Sequence, residues 1–121
     1  MEFLKENAQA FYQNALDLLT KGSYRLAAFS AEQALQLFLK YLLAKRVGDY
    51  PKTHALRRLF LIAGAECPAL EHLFMENLAL VGDMEGAYLG ARYYPVDYLK
   101  EEVEEMVAFL KRVMEAVEGC L

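Results

Sequence analysis

The sequence predicts an all-α protein, folded as an antiparallel up-down bundle of four to five helices in a single domain that covers residues 1–121. Apolar residues recur at spacings of three and four along the long segments, and no segment alternates apolar and polar residues as a half-buried strand does. A chain of 121 residues is long enough for one hydrophobic core but not for two. Its 56% apolar and 25% charged fractions are those of a folded globular protein.

The first two helices are predicted on either side of a glycine turn. The first runs from about Glu2 to Thr20 and ends before Gly22, which can adopt the left-handed conformation of a helix C-terminus. The second runs from about Tyr24 to Arg46 and ends before Gly48. This second helix is apolar almost all round, which predicts a central position in the bundle or a contact with a second subunit.

The boundaries of the later helices are set by other signals. Thr53 is expected to cap a short helix that reaches about Ala63, and Pro68 suits the first turn of the next one. Glycines then recur at positions 82, 86 and 90. Either they line up along a continuous helix and admit another backbone, or Gly82 ends the helix, which is favoured because glycine destabilises a helix interior. A final helix is predicted from about Asp97 to Glu118.

Composition limits the partners and the compartment. The net charge of −4 argues against a surface that binds nucleic acid throughout, so any such contact needs a local basic patch. The N-terminus lacks a signal-peptide pattern, and no stretch approaches the ~18 apolar residues that span a bilayer. Cys67 and Cys120 lie far apart in the chain and are expected as free thiols in a reducing cytosol. The chain is therefore predicted to be cytoplasmic, with no membrane contact.

The motifs of most enzyme classes are absent. The sequence has no phosphate-binding loop and no nucleophile elbow. Its two histidines, His54 and His72, have no second ligand at metal-binding spacing. We therefore expect neither a metal nor another cofactor, and a hydrolase or metalloenzyme of a familiar type is disfavoured.

The first candidate binding segment runs from residue 40 to residue 58. It places six cations against a single acid, with aromatic rings interleaved. The cations are Lys40, Lys45, Arg46, Lys52, Arg57 and Arg58, and the rings are those of Tyr41, Tyr50 and His54. Such a patch can bind phosphates and stack on bases. The alternative is a helix C-terminus whose cations are simply solvated.

The second candidate segment runs from residue 88 to residue 95. Tyr88 and Arg92 are four residues apart and would share the face of a helix, with Tyr93 and Tyr94 following. An arginine among tyrosines offers a phosphate-binding fork beside stacking surfaces. The alternative is a helix end where the tyrosines cover the core and Arg92 pairs with a carboxylate.

Three motifs occur in an order that resembles the HEPN domain family over nearly the whole chain. They are the Ala31-Glu32-Gln33-Ala34 helix that leads to Lys40, the Thr53-His54-Ala55-Leu56 turn, and the Arg92-Tyr93-Tyr94-Pro95 segment. The resemblance implies a homodimeric helical bundle that binds a nucleotide or RNA, or that serves as partner of a small nucleotidyltransferase in a toxin–antitoxin-like pair. Carried onto this sequence, it favours Arg92 as a phosphate ligand, with Tyr88, Tyr93 and Tyr94 lining the pocket and Lys40, Lys52 and His54 beside it.

The resemblance also raises an enzymatic alternative. Many members of the family are metal-independent ribonucleases, in which a histidine follows an arginine after four to six residues. Here Arg46 and His54 come closest, with seven residues between them. A ribonuclease would therefore need a divergent motif that uses Arg92 and His54, and the sequence favours a binding protein over an enzyme. A purely structural protein-interaction module is the third possibility.

Overall fold

A computed structural model describes residues 2–93 and 97–121, and the side chains of residues 89–93 are not part of the description. Within these ranges the chain forms six helices and no strands, which confirms the all-α bundle with one or two helices more than the sequence predicted. The helices are α1 (Glu2–Thr20), α2 (Tyr24–Val47), α3 (Leu56–Glu66), α4 (Pro68–Glu76), α5 (Leu78–Tyr93) and α6 (Lys100–Gly119).

The two predicted glycine stops are both found. Gly22 has φ +78° and Gly48 has φ +86°, a region that only glycine adopts readily. The backbone N–H of Gly48 donates to the carbonyl of Ala44 and so closes the last turn of α2. The bounds predicted for α1 are confirmed, and those of α2 differ by one residue.

The prediction that Thr53 caps the third helix is wrong. The helix begins at Leu56 with Ala55 at the N-cap position. Thr53 instead forms a local turn, in which its Oγ1 accepts a hydrogen bond from the backbone N–H of Ala55 at 3.2 Å. Pro68 does lie in the first turn of α4, as predicted.

The interpretation that Gly82 ends a helix is also wrong, since α5 continues through Gly82 to Tyr93. Each glycine costs a helix interior roughly 1 kcal/mol. Val81, Met84 and Ala87 on the same helix are fully buried, and burying an apolar side chain of the size of valine or methionine contributes about 1.5–3 kcal/mol. The packing of α5 on the core therefore outweighs its glycines.

Helix α2 lies at the centre of the bundle and contacts α1, α3, α5 and α6. Its apolar residues, from Ala27 to Ala44, are almost all buried within the chain, and the large exposed ones, Leu26 and Val47, lie at its ends. The prediction of a central helix is confirmed. The alternative use of α2 as a wide contact with a second subunit is not supported, because the other helices already cover it.

The prediction of free thiols is wrong. Cys67, between α3 and α4, forms a disulfide with Cys120 at the end of α6, with Cα atoms 5.8 Å apart. The two residues are 53 positions apart, and only the packing of α4 and α6 brings them together. The cysteines therefore no longer argue for a reducing compartment.

Candidate functional site

A buried carboxylate lies in the middle of α2. Glu32 has an exposed fraction of 0%, and Ala28 and Leu35, one turn away on either side, are fully buried with it. Gln33 Nε2 donates to its Oε1 at 2.8 Å, and Gln36 Nε2 donates to its Oε2. Burial is the main reason that the pKa of Glu32 is raised to about 7, while these two hydrogen bonds lower the pKa and so limit the rise.

Gln36 connects this carboxylate to the surface. Its side chain is buried, and its Oε1 lies 3.0 Å from Nδ1 of His54, which is exposed. The turn made by Thr53 and Ala55 on either side of the histidine holds the backbone there. A hydrogen-bonded chain therefore leads from Glu32 in the core through Gln36 to the imidazole of His54.

The His54 ring is stacked on an aromatic ring of α5. Its centroid lies 5.6 Å from that of Tyr88, with an angle of 13° between the planes. Tyr88 is stacked in turn with Phe29 of α2, at 6.3 Å and 22°. Near-parallel rings thus run from α2 to an exposed imidazole, which is a surface on which another flat ring can stack.

A cation on α3 contacts α5, the helix that carries Tyr88. Arg57, three residues after His54, has its Nε 3.9 Å from Oε2 of Glu85, which precedes Tyr88 by three residues on α5. Its guanidinium also lies against Gly82, where a Cβ would come within 2.8 Å of Nη2. The missing side chain at position 82 therefore leaves room for Arg57. We call Glu32, Gln36, His54, Arg57 and Tyr88 together the His54 site.

The basic segment at residues 40–58 does not form one patch. Lys45 lies 3.8 Å from a carboxylate oxygen of Glu2, and Arg46 donates to the backbone carbonyl of Cys120 at 3.2 Å. These two cations therefore face the chain termini, whereas Lys52, Arg57 and Arg58 are exposed within four residues of His54 in the sequence.

Lys40 is much less accessible than the sequence suggested. It is buried, and its Nζ lies 5.9 Å from the centroid of the Tyr50 ring. Burial lowers the pKa of Lys40, and the nearby charge of Glu32 partly opposes that change.

The other predicted ligands lie at the end of α5. Arg92 and Tyr93 belong to that helix, and Arg92 follows Tyr88 by one turn, but their side chains are outside the description. Tyr94 lies outside the described residues. The predicted arrangement of Arg92 with Tyr93 and Tyr94 therefore remains a prediction.

Three members of the His54 site are not among the ligands that the sequence predicts. Glu32 enters the sequence analysis only through the family motif, Gln36 does not enter it as a candidate, and Arg57 is one of six cations in a segment. A usable signal is present, because Glu32, Gln36 and Lys40 recur every four residues in the central helix, most of whose residues are buried. Polar side chains at that spacing share one face of a helix, and a buried polar face needs partners.

Neither a metal-ligand cluster nor a membrane-spanning helix occurs in the described part of the chain. There, His, Cys, Asp and Glu side chains form no group of three that would hold a metal ion. None of the helices at residues 2–93 and 97–121 has both the length and the apolar composition needed to cross a bilayer.

Comparison with known proteins identifies the family. The family model described as HEPN domain matches residues 1–120. Among solved structures, TT1696 from Thermus thermophilus is similar over 99% of this chain and 97% of its own, with a TM-score of 0.83 and 24% sequence identity. A search of curated proteins gave no significant match. The similarity to TT1696 shows that the two chains share a fold over nearly their full lengths. Because the HEPN domain model matches almost the entire chain, this protein belongs to the HEPN domain family.

Proposed function

We propose that the protein binds single-stranded RNA, or a nucleotide, at the His54 site. The observation that carries this proposal is the exposed His54 ring, which is stacked on Tyr88 at 5.6 Å and held at its edge by Gln36, whose Oε1 lies 3.0 Å from Nδ1. A base that stacks on such a platform gains about 1–3 kcal/mol. Every base has a flat face, so the platform itself does not select a sequence.

The cations around the platform supply the phosphate contacts. Arg57 lies three residues from His54, and its planar guanidinium suits bidentate contact with a phosphate. Lys52 is exposed two residues before His54. Arg92, one turn beyond Tyr88 on α5, is the further phosphate ligand that the family resemblance implies. Because the net charge is −4, this local group of cations must provide the attraction.

The test is a fluorescence-anisotropy titration of the protein with a short, labelled single-stranded RNA at low and at moderate salt. We expect His54→Ala to weaken binding by roughly 5- to 150-fold, which corresponds to the loss of one stacking contact. Arg92→Ala weakens binding without unfolding the protein.

The matched control uses an exposed arginine on another helix. Arg57→Gln and Arg112→Gln remove the same charge from exposed positions, but Arg112 lies on α6, outside the His54 site. We expect Arg57→Gln to weaken binding and to reduce its salt dependence, and Arg112→Gln to do much less. No binding by the unmodified protein, or equal losses in the two variants, would contradict the proposal.

We also propose that the protein is a homodimer that pairs through α3. Leu61 and Met75, 66% and 59% exposed, line one groove between α3 and α4, and Ile62 is exposed next to Leu61. Arg58 and Glu66 are equally distant in sequence from Ile62. A two-fold axis near Ile62 would therefore set Arg58 of one copy against Glu66 of the other. The same pairing would cover Leu61 and Ile62 of both copies.

Light scattering across a concentration series tests this pairing. We expect the unmodified protein to be dimeric and Leu61→Asp to be monomeric with unchanged helicity. A monomeric unmodified protein would contradict the homodimer. Co-purification of a small nucleotidyltransferase, lost in the same variant, would assign the surface to the other partner that the family resemblance implies.

A further inference from the structure

The His54 site contains a chain of hydrogen bonds in which the donors and acceptors are fixed when Glu32 is ionised. Glu32, when ionised, can only accept, so the Gln36 amide must present its N–H group to the Glu32 oxygen. An amide has its oxygen on the other side. The atom that faces Nδ1 of His54 at 3.0 Å is therefore Gln36 Oε1, which can only accept.

The orientation of the Gln36 amide determines which nitrogen of His54 carries its proton. Nδ1 must carry the proton, because two acceptors would otherwise face each other at hydrogen-bond distance. A neutral imidazole has a single N–H, so its Nε2 then carries a free lone pair. The free histidine side chain favours the opposite tautomer, with the proton on Nε2.

We propose that Gln36, oriented by the Glu32 carboxylate, is a positioning residue that holds His54 in the Nδ1–H tautomer and so presents Nε2 as a hydrogen-bond acceptor to the ligand. The inference deepens the function proposed above, and its ligand side depends on that proposal. The complementary ligand group is a donor, either a ribose hydroxyl or a base N–H.

Charged groups around Glu32 act on its ionisation in opposite directions. Lys40 on α2 favours the carboxylate by its charge, while Glu85 on α5 opposes it, and Arg57 from α3 lies 3.9 Å from Glu85. Every buried side-chain nitrogen and oxygen among the described residues has a hydrogen-bond partner. Reversal of the Gln36 amide would set its oxygen against the carboxylate, and that contact is repulsive.

The tautomer can be read directly from ¹⁵N chemical shifts of the imidazoles, without any ligand. The protein has two histidines, and the exposed His72 of α4 serves as an internal reference for an unconstrained ring. At a pH well above the pKa of Glu32, which is about 7, we expect His54 in the Nδ1–H form and His72 mainly in the Nε2–H form. An Nε2–H form of His54 would overturn the proposal.

Three variants separate positioning from folding. Gln36→Met removes the amide at similar length and should return His54 to the tautomer preference of His72. Glu32→Gln keeps the shape but no longer dictates which way the Gln36 amide points, so a mixture of tautomers is expected. Gln33→Met is the control, because Gln33 bonds to Glu32 at 2.8 Å and not to His54. An unchanged His54 tautomer in the Gln36→Met protein would also overturn the proposal.

The ligand side is measured separately, by titrating these proteins with an RNA and with a DNA of the same sequence. A preference for RNA that is lost in Gln36→Met assigns the donor to the ribose hydroxyl, and equal weakening for both nucleic acids assigns it to the base. Binding unchanged by Gln36→Met would overturn the role of Nε2 in recognition. A fixed tautomer in a protein that binds neither nucleic acid would refute the proposed function and leave the positioning of His54 intact.

Discussion

Replacing the buried Glu32 by glutamine should change how the stability of the protein depends on pH. The pKa of Glu32 is raised from its ordinary 4.5 to about 7, first because burial penalises the charge and also because Glu85 lies near. Between these two values the folded protein binds more protons than the unfolded chain. The free energy of unfolding therefore falls as pH rises through this window, and the stabilisation by the protonated form is lost above pH 7.

The size of the effect follows from the same difference. A rise of one in pKa corresponds to about 1.4 kcal/mol, so the step from 4.5 to about 7 amounts to about 3 kcal/mol. Glutamine carries no charge, so the variant lacks this pH-dependent contribution to the free energy of unfolding. It has only one acceptor oxygen for the amides of Gln33 and Gln36, so the variant loses one hydrogen bond worth about 1 kcal/mol. We therefore expect Glu32→Gln to be the less stable protein near pH 5 and the more stable one near pH 8.

Urea unfolding followed by circular dichroism, from about pH 5 to about pH 8 at constant ionic strength, provides the measurement. The two proteins differ only at position 32, so the difference between their stability curves isolates the contribution of Glu32. Glu104→Gln, at an exposed position of α6, makes the same chemical change and should leave the slope unaltered. Parallel curves for Glu32→Gln and the unmodified protein would refute the reasoning.

Two further predictions concern the glycines of α5 and the disulfide. Gly86→Ala should stabilise the protein by about 0.5–1 kcal/mol in urea unfolding, since a Cβ there meets no atom within 4 Å. Gly82→Ala should stabilise it less and should weaken RNA binding, because its methyl group displaces the guanidinium of Arg57. Equal RNA affinities of the two variants would show that Arg57 does not contact the ligand. Reduction of the Cys67–Cys120 disulfide, which closes a loop of 53 residues, should lower the free energy of unfolding by about 4 kcal/mol, and an unchanged urea midpoint in reductant would contradict this.

Local signals in the sequence predicted the first half of the fold well. The ends of α1 and α2 depend on apolar periodicity and on Gly22 and Gly48, whose left-handed conformations are properties of single residues. The course of α5 through Gly82 could not be predicted in this way. It depends on the burial of Val81 and Met84 against other helices, which outweighs the local preference of glycine.

The candidate site was predictable only in part, for a related reason. His54 and Tyr88 were recognised because their residue types suit binding, but they are 34 positions apart, and nothing local indicates that their rings stack. The hydrogen bond between Gln36 and His54 and the disulfide between Cys67 and Cys120 likewise join distant parts of the chain. Each of these contacts is created by helix packing. That packing depends on many residues of several helices together, so no short stretch of the sequence predicts it.

The buried position of Glu32 destabilises the fold but helps to orient the exposed His54. An apolar side chain or glutamine at the centre of α2 would avoid the loss of about 3 kcal/mol that its charge imposes at neutral pH. Two amides are needed to satisfy the carboxylate, and one of them, Gln36, also reaches the exposed His54. Stability of the bundle alone does not require this connection. Through it, the Glu32 carboxylate orients the Gln36 amide, and the amide in turn orients the exposed imidazole of His54. The buried charge therefore makes physical sense if the orientation of His54, rather than the stability of the bundle, is what it maintains.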